Sequence, residues 1–258
     1  MGRRSVSLQD QGRWVFNRLA HHYLARPGYP DALVDRLVAL AGGTGARVAD
    51  LGAGVGHLAL PLAARGLSVS AVEPARAMLG ALAERARGDP RVVPVHAAAE
   101  VTGLPGGAFD LVLVADALQW VDPERCGEET ARLLGPGGAV AVVEARFATT
   151  PFMTGLSALV ARENPKARPR PAGAARQLLA LAAPGAPPCE ERFRQDAPLE
   201  PAALESVLRS LSFAGPALAP ARLEALLAEA VALAERCGGA RFERELSLRW
   251  ARRRTRAA

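Results

Sequence analysis

From Ala46 onward the chain alternates short apolar runs with longer amphipathic stretches, the pattern of βαβ units that build a mostly parallel sheet. Two of the runs, Leu111-Val112-Leu113-Val114 and Val140-Ala141-Val142-Val143, are apolar on both faces of a strand. Such strands need helices covering each side, which makes them central strands of an α/β, Rossmann-like doubly wound sheet. The spacing predicts strands at 47–51, 68–72, 91–95, 109–115 and 138–145, with helices near 56–65, 75–87 and 122–134. Ahead of these, residues 13–25 carry an approximate helical stripe that stops before Pro27. A second helix starts at Pro30-Asp31, reaches Leu40 and ends at Gly42-Gly43.

After about residue 148 the rhythm changes. Residues 164–188 are rich in Pro, Ala and Arg and read as a mobile loop around one short helix. A strand near 190–196, helices at 201–211 and 219–236, and a last strand at 241–250 follow, the two late strands extending the sheet in antiparallel fashion. With 258 residues, half of them hydrophobic, the chain can bury the core of one enlarged α/β domain. No stretch reaches the roughly 18 uninterrupted apolar residues of a membrane span, and the first 16 residues lack the apolar segment of a signal peptide. A cytoplasmic location and no membrane partner are expected.

Cys126, Cys189 and Cys237 are odd in number and far apart, which suggests neither a disulfide framework nor a zinc site. The histidines lack ligand spacing with acids, so no metal is expected. The net charge of +6 could point to nucleic acid, but Lys166 is the only lysine among 32 basic residues, a skew that looks like genome base composition. The run Arg252-Arg253-Arg254-Thr255-Arg256 reads as a solvated tail more readily than as a phosphate-binding arm.

The first strand ends in Asp50 and leads into Gly52, Gly54 and Gly56, before a helix expected from about His57. Glycines there allow a sharp turn and close ligand approach, and a helix start offers free N–H groups to a carboxylate or phosphate. Asp50 either braces this loop or touches a ligand. Glu73 closes the second strand seventeen residues past Gly56, where a carboxylate accepts hydrogen bonds from both hydroxyls of a ribose. That pairing indicates an adenosine-containing ligand. Against NAD stand a GxGxG loop in place of GxGxxG, and a chain with two tyrosines, Tyr23 and Tyr29, and one lysine. For S-adenosylmethionine stand Asp50 before the loop, Ala99-Glu100 after the third strand and the turn Leu133-Leu134-Gly135-Pro136-Gly137-Gly138 into the fifth.

With Phe109-Asp110-Leu111-Val112 opening the fourth strand, these segments resemble the class I S-adenosylmethionine-dependent methyltransferases over about residues 15–145. Phe16, Tyr23, the stretch Arg26-Pro27-Gly28-Tyr29-Pro30, Ala117-Leu118-Gln119-Trp120 and Ser210-Leu211-Ser212 are similar to the small-molecule branch that contains trans-aconitate methyltransferase-like enzymes. The resemblance implies a seven-stranded sheet of order 3-2-1-4-5-7-6 with its last strand antiparallel. It implies one domain over 1–258, with a helical lid at 1–44, a cofactor-binding core at 45–145 and an acceptor-side insertion with the C-terminal strands at 146–258.

It also implies that Gly52 and Gly54 pack against the methionine half of the cofactor, that Glu73 and the neighbouring Pro74 sit at the ribose, and that Ala98, Ala99 and Glu100 line the adenine. Tyr23 and Arg26 become candidates to meet the cofactor carboxylate, a role that suits arginine's planar fork. Ala98 stands where many relatives have a polar residue, and Gln119 where many have histidine; an amide cannot accept a proton. Asp116, at the carboxyl edge of the sheet, is a candidate for cofactor contact and, with His21 and His22, for a general base. His57 either contacts ligand or caps the helix, and Trp120 is core or acceptor wall. The expected partner is a small-molecule acceptor taken by a monomer or homodimer, with RNA methylation or non-catalytic cofactor binding as alternatives. The fourth strand lacks the Asn/Asp-Pro-Pro-aromatic motif of amino-methylating nucleic-acid enzymes.

Overall fold

Along the central strands, successive side chains divide between two cores. Leu111 and Leu113 of β4 (Phe109–Ala115) join Val48 of β1 (Arg47–Leu51) and Ala139 and Ala141 of β5 (Leu134–Phe147) on one face, whereas Val112, Val114, Val140 and Val142 belong to the other. The computed structural model describes residues 8–164 and 173–254. With β2 (Ser68–Val72), β3 (Val92–Val95), β6 (Cys189–Leu199) and β7 (Ala240–Arg252) the strands form one seven-stranded sheet of order β3-β2-β1-β4-β5-β7-β6. β1 to β5 pair in parallel, and β7 runs antiparallel to both β5 and β6. The strand order and the reversed last strand are those expected.

The first face is covered by Leu33 and Leu37 of α2 (Asp31–Ala41) and Leu62 of α3 (Ala59–Ala64). The second is covered by Cys126 and Leu133 of α5 (Pro123–Leu133) and Leu178 and Leu179 of α7 (Ala174–Ala182). Leu19 and Ala20 of α1 (Leu8–Tyr23) pack with Val55, Ala75 and Met78, the last on α4 (Arg76–Ala86). A separate apolar cluster joins α6 (Pro151–Glu163), α8 (Pro201–Ser210) and α9 (Pro220–Arg236) with Phe242 of β7. Removing a fully buried strand residue such as Leu113 costs about 2–5 kcal/mol.

Three expectations need correction. The helix after the glycine loop starts at Ala59 and not near residue 56, because Gly52 to Leu58 is consumed in turns. Residues 151–163 form α6, which the change of rhythm concealed; the Thr150 hydroxyl accepts from Met153 N and Pro151 opens the first turn. The turn into the fifth strand belongs to β5 itself, since Leu134 already pairs with Phe109 across a register shift. A Cβ on Gly138 would stand 2.9 Å from the Phe109 carbonyl, so only glycine lets the chain pass there.

The basic run is also tied to the core. Arg252 and Arg253 are exposed as expected, but Arg252 also donates to the carbonyls of Leu40 and Gly137 and Arg253 to those of Ala131 and Leu134, so both cap chain ends of the core. Thr255 and Arg256 lie outside the described residues, as do 165–172 of the Pro-rich stretch. All three cysteines are free. No described helix is long and apolar enough to cross a membrane, and the described residues contain no group of three metal-ligating side chains.

Candidate functional site

The carboxyl ends of β1, β2 and β4 meet at the glycine loop. The amides of Gly52 and Ala53 donate to the Val72 carbonyl at 2.8 and 3.0 Å, tying the loop to the end of β2. Gly52 has φ +82°, and a Cβ on it would fall 2.7 Å from the Ala117 Cβ, so the loop can lie against the end of β4 only with glycine here. Glu73 is held in a fixed orientation: Gly54 N donates to Oε2 at 3.0 Å and Ala75 N to Oε1 at 2.8 Å. Two backbone amides bracket this carboxylate, and each oxygen keeps a lone pair for a ligand.

Around the loop opens a cleft of about 1120 Å³ that includes its open mouth, and the sequence candidates Tyr23, Arg26, Asp50, Gly52, Gly54, Glu73, Pro74, Ala98, Ala99, Glu100 and Asp116 all line it. His21 and His22 do not. His21 is exposed, and His22 is half-buried, with a pKa lowered by burial, by His21 and by Arg209, and raised by Glu205. His96 pairs through Nε2 with the Pro74 carbonyl at 3.1 Å.

Burial governs the charges of the cleft. Asp50 is 2% exposed, and burial followed by the nearby negative charge of Glu73 pushes its carboxyl up to about 7. Burial also raises Glu73, against the lowering effect of its two amides. Glu100 is buried and accepts from Asp122 N at 2.9 Å. His57 is lowered to about 3, by burial first and then by Arg85, Arg26 and Arg244, so its ring is neutral; it stacks on Tyr23 with centroids 6.1 Å apart.

Arg26 clamps the segment after α1 to the end of α8. Its Nε donates to the Ser210 hydroxyl at 2.7 Å, Nη2 to the Ser210 carbonyl at 2.9 Å and Nη1 to the Tyr23 hydroxyl at 3.0 Å, with the guanidinium 3.9 Å above the Tyr23 ring. Two further N–H bonds of the fork are not used in these contacts.

Asp116 has a left-handed backbone, φ +50°, unusual for a residue with a side chain. Its Oδ1 accepts from Ala145 N at 2.8 Å, and Oδ2 from the Tyr29 hydroxyl at 3.0 Å and Arg244 Nη1 at 3.3 Å. Arg244 also donates through Nε to Gln195 Oε1 at 2.6 Å, and the Gln195 amide donates to the carbonyls of Pro27 and Gly28. Burial and the Asp116 charge hold the Tyr29 phenol far above its ordinary range.

Sequence reasoning missed Arg244 and Gln195, although a signal existed. Arg244 falls in the alternating phase of Phe242, Leu246 and Leu248, so a strand face otherwise apolar carries one arginine inward, leaving it 8% exposed. Gln195 stands opposite it in β6, in phase with Phe193 and Leu199.

A second cavity adjoins the cleft. It shares Phe16, Tyr23, Arg26, Asp116, Trp120 and Arg244 with it and adds Gln119, Ala145 to Phe147, Leu211 to Phe213 and Phe242. Trp120 closes a 3-10 turn over Leu118–Trp120, and its ring meets Phe16 edge-on at 5.1 Å.

Residues 49–142 match the model of a family described as a methyltransferase domain. An uncharacterised methyltransferase of Mycobacterium tuberculosis is 43% identical over 118 residues, 46% of either chain. A demethylmenaquinone methyltransferase of Clavibacter sepedonicus is 37% identical over 114 residues, 44% of this chain and 46% of that one. The chain spans about half the length of the curated relatives it matches. A solved chain from Anaeromyxobacter dehalogenans, described as a candidate type II methyltransferase, is 27% identical and superposes with a TM-score of 0.59 over 89% of this chain and 98% of its own length.

Proposed function

We infer that this chain, which has the methyltransferase strand order and matches a methyltransferase-domain family over residues 49–142, binds S-adenosylmethionine and passes its methyl group to a small-molecule acceptor. The observation that carries the reading is the sign of charge in the cleft. Asp50, Glu73, Glu100 and Asp116 line it against Arg26 and Arg244. A dinucleotide would bring its diphosphate toward buried carboxylates, whereas S-adenosylmethionine brings an ammonium, a sulfonium and two ribose hydroxyls that such groups favour.

On this reading Glu73 accepts from the ribose hydroxyls, Asp50 faces the ammonium, and Gly52 and Gly54 let the methionine half approach the backbone. Ala98 and Ala99 flank the adenine beside Glu100, while Tyr23 and the unused N–H bonds of Arg26 meet the carboxylate. When bound, the cofactor supplies a methyl group on a good leaving group, open to in-line displacement. The chain contributes alignment and exclusion of water, worth several kcal/mol. Asp116, with its carboxylate engaged by Ala145 N, Tyr29 and Arg244, acts as an anchor that orders the segment 26–30, and not as a free base. The reading takes the protein as a cytoplasmic monomer or homodimer. Arg252 and Arg253 each give part of their fork to carbonyls of the core, which weakens the basic run as support for RNA.

Calorimetric titration with S-adenosylmethionine, S-adenosylhomocysteine and NAD tests this. Both sulfur ligands should bind and NAD should not; absence of binding by either sulfur ligand refutes the reading.

A further inference from the structure

We propose that the second cavity receives an acceptor with an anionic oxygen group on an apolar, ring-sized body. The proposal rests on the methyltransferase reading and names the substrate class of the same site. Six of the chain's twelve aromatic residues line this cavity. Phe147, Phe213 and Phe242 come from β5, the segment after α8 and β7, so the rings converge from separate parts of the chain. Aromatic walls favour an apolar, flat body that displaces water.

The charges specify the other end. Arg26, Arg146 and Arg244 line the cavity against the single carboxylate of Asp116, which Arg244 and Tyr29 already engage. Arg146 is exposed and makes no hydrogen bond or ion pair with a described residue; Glu245, opposite it in the β5–β7 register, is not ion-paired to it. Its planar fork is therefore available to a carboxylate or phosphate. An amine-bearing acceptor would meet guanidinium groups and be rejected. Gln119, which holds the Asp116 carbonyl at 3.0 Å through its amide nitrogen, offers no proton acceptor of a base's strength, so the cavity suits a nucleophile that arrives without needing a dedicated base.

The test is calorimetry on the full chain saturated with S-adenosylhomocysteine, titrated with 2-naphthoate, 2-naphthyl phosphate, the neutral 2-naphthamide and the cationic 2-naphthylmethylamine. One of the two anions should bind at least about tenfold more tightly than the amide, the scale of a hydrogen bond to a charged group, and which one does so separates carboxylate from phosphate chemistry. Arg146→Gln should shrink that preference to within about threefold while leaving S-adenosylhomocysteine affinity unchanged. Equal binding of the amide, tighter binding of the amine, no binding of any probe, or an undiminished preference in Arg146→Gln overturns the proposal. Failure of S-adenosylhomocysteine itself to bind removes the methyltransferase reading instead, so the two failures are distinguishable.

Discussion

The two adjoining cavities differ in sign and in texture. The cleft around the glycine loop sets four carboxylates against two arginines, whereas the second cavity sets three arginines against one carboxylate and lines itself with rings. Asp116 and Arg244 are among the six residues they share, so a partly buried ion pair braced by Tyr29 and Gln195 lies at the boundary between them. The contrast means that ligands of opposite charge would be sorted between the two cavities by electrostatics as well as by shape.

The largest expected effect comes from breaking that boundary. Arg244→Met removes the Nη1 donor to the half-buried Asp116 carboxylate and the Nε donor to the buried Gln195 amide oxygen, and should cost about 3 kcal/mol in urea unfolding. A loss within error would mean that the contacts of Arg244 contribute nothing to holding this boundary. Next, Glu73→Gln should weaken S-adenosylhomocysteine binding by about 2 kcal/mol, roughly 30-fold in calorimetry, because an amide can no longer accept from ligand and backbone through both of its ends.

A third effect is a pH dependence. The folded carboxyl of Asp50 titrates at about 7, above its ordinary value. Folding thus favours its protonated form, and the ligand-free protein loses stability as pH rises from about 4 toward 7. A ligand ammonium favours the ionised form, so S-adenosylmethionine affinity should climb about tenfold between pH 5.5 and 7. Asp50→Asn should flatten both curves; a wild-type affinity independent of pH contradicts the assignment. The smallest effect lies away from both cavities: Arg252→Ala and Arg253→Ala should each cost about 1 kcal/mol of stability through lost carbonyl caps and leave ligand binding unchanged.

The two cavities were also unequally legible in the sequence. The strands at 47–51, 68–72 and 109–115 coincide with the observed β1, β2 and β4, because runs apolar on both faces leave little freedom to a central strand. The acidic cleft is built largely from strand ends within one βαβ unit, so Asp50, the glycines and Glu73 lie close in sequence as well as in space. The second cavity draws Phe16, Trp120, Phe147, Phe213 and Phe242 from segments that no local spacing connects. Arg244 and Gln195 meet across an antiparallel pair whose register only the folded sheet fixes. His21 and His22, adjacent on α1, line neither cavity, while His57, beside the loop, enters the cleft as a neutral ring. Helix α6 escaped notice although Phe152, Met153, Leu156 and Val160 keep a helical spacing behind Thr150-Pro151.

The most direct measurement of the central claim is a crystal structure of the full chain with S-adenosylhomocysteine. The ribose hydroxyls should lie on Glu73, the amino group beside Asp50 and the sulfur facing the aromatic cavity at the Asp116–Arg244 boundary. A ligand bound outside the acidic cleft, or one whose sulfur faces solvent away from that cavity, would contradict the claim.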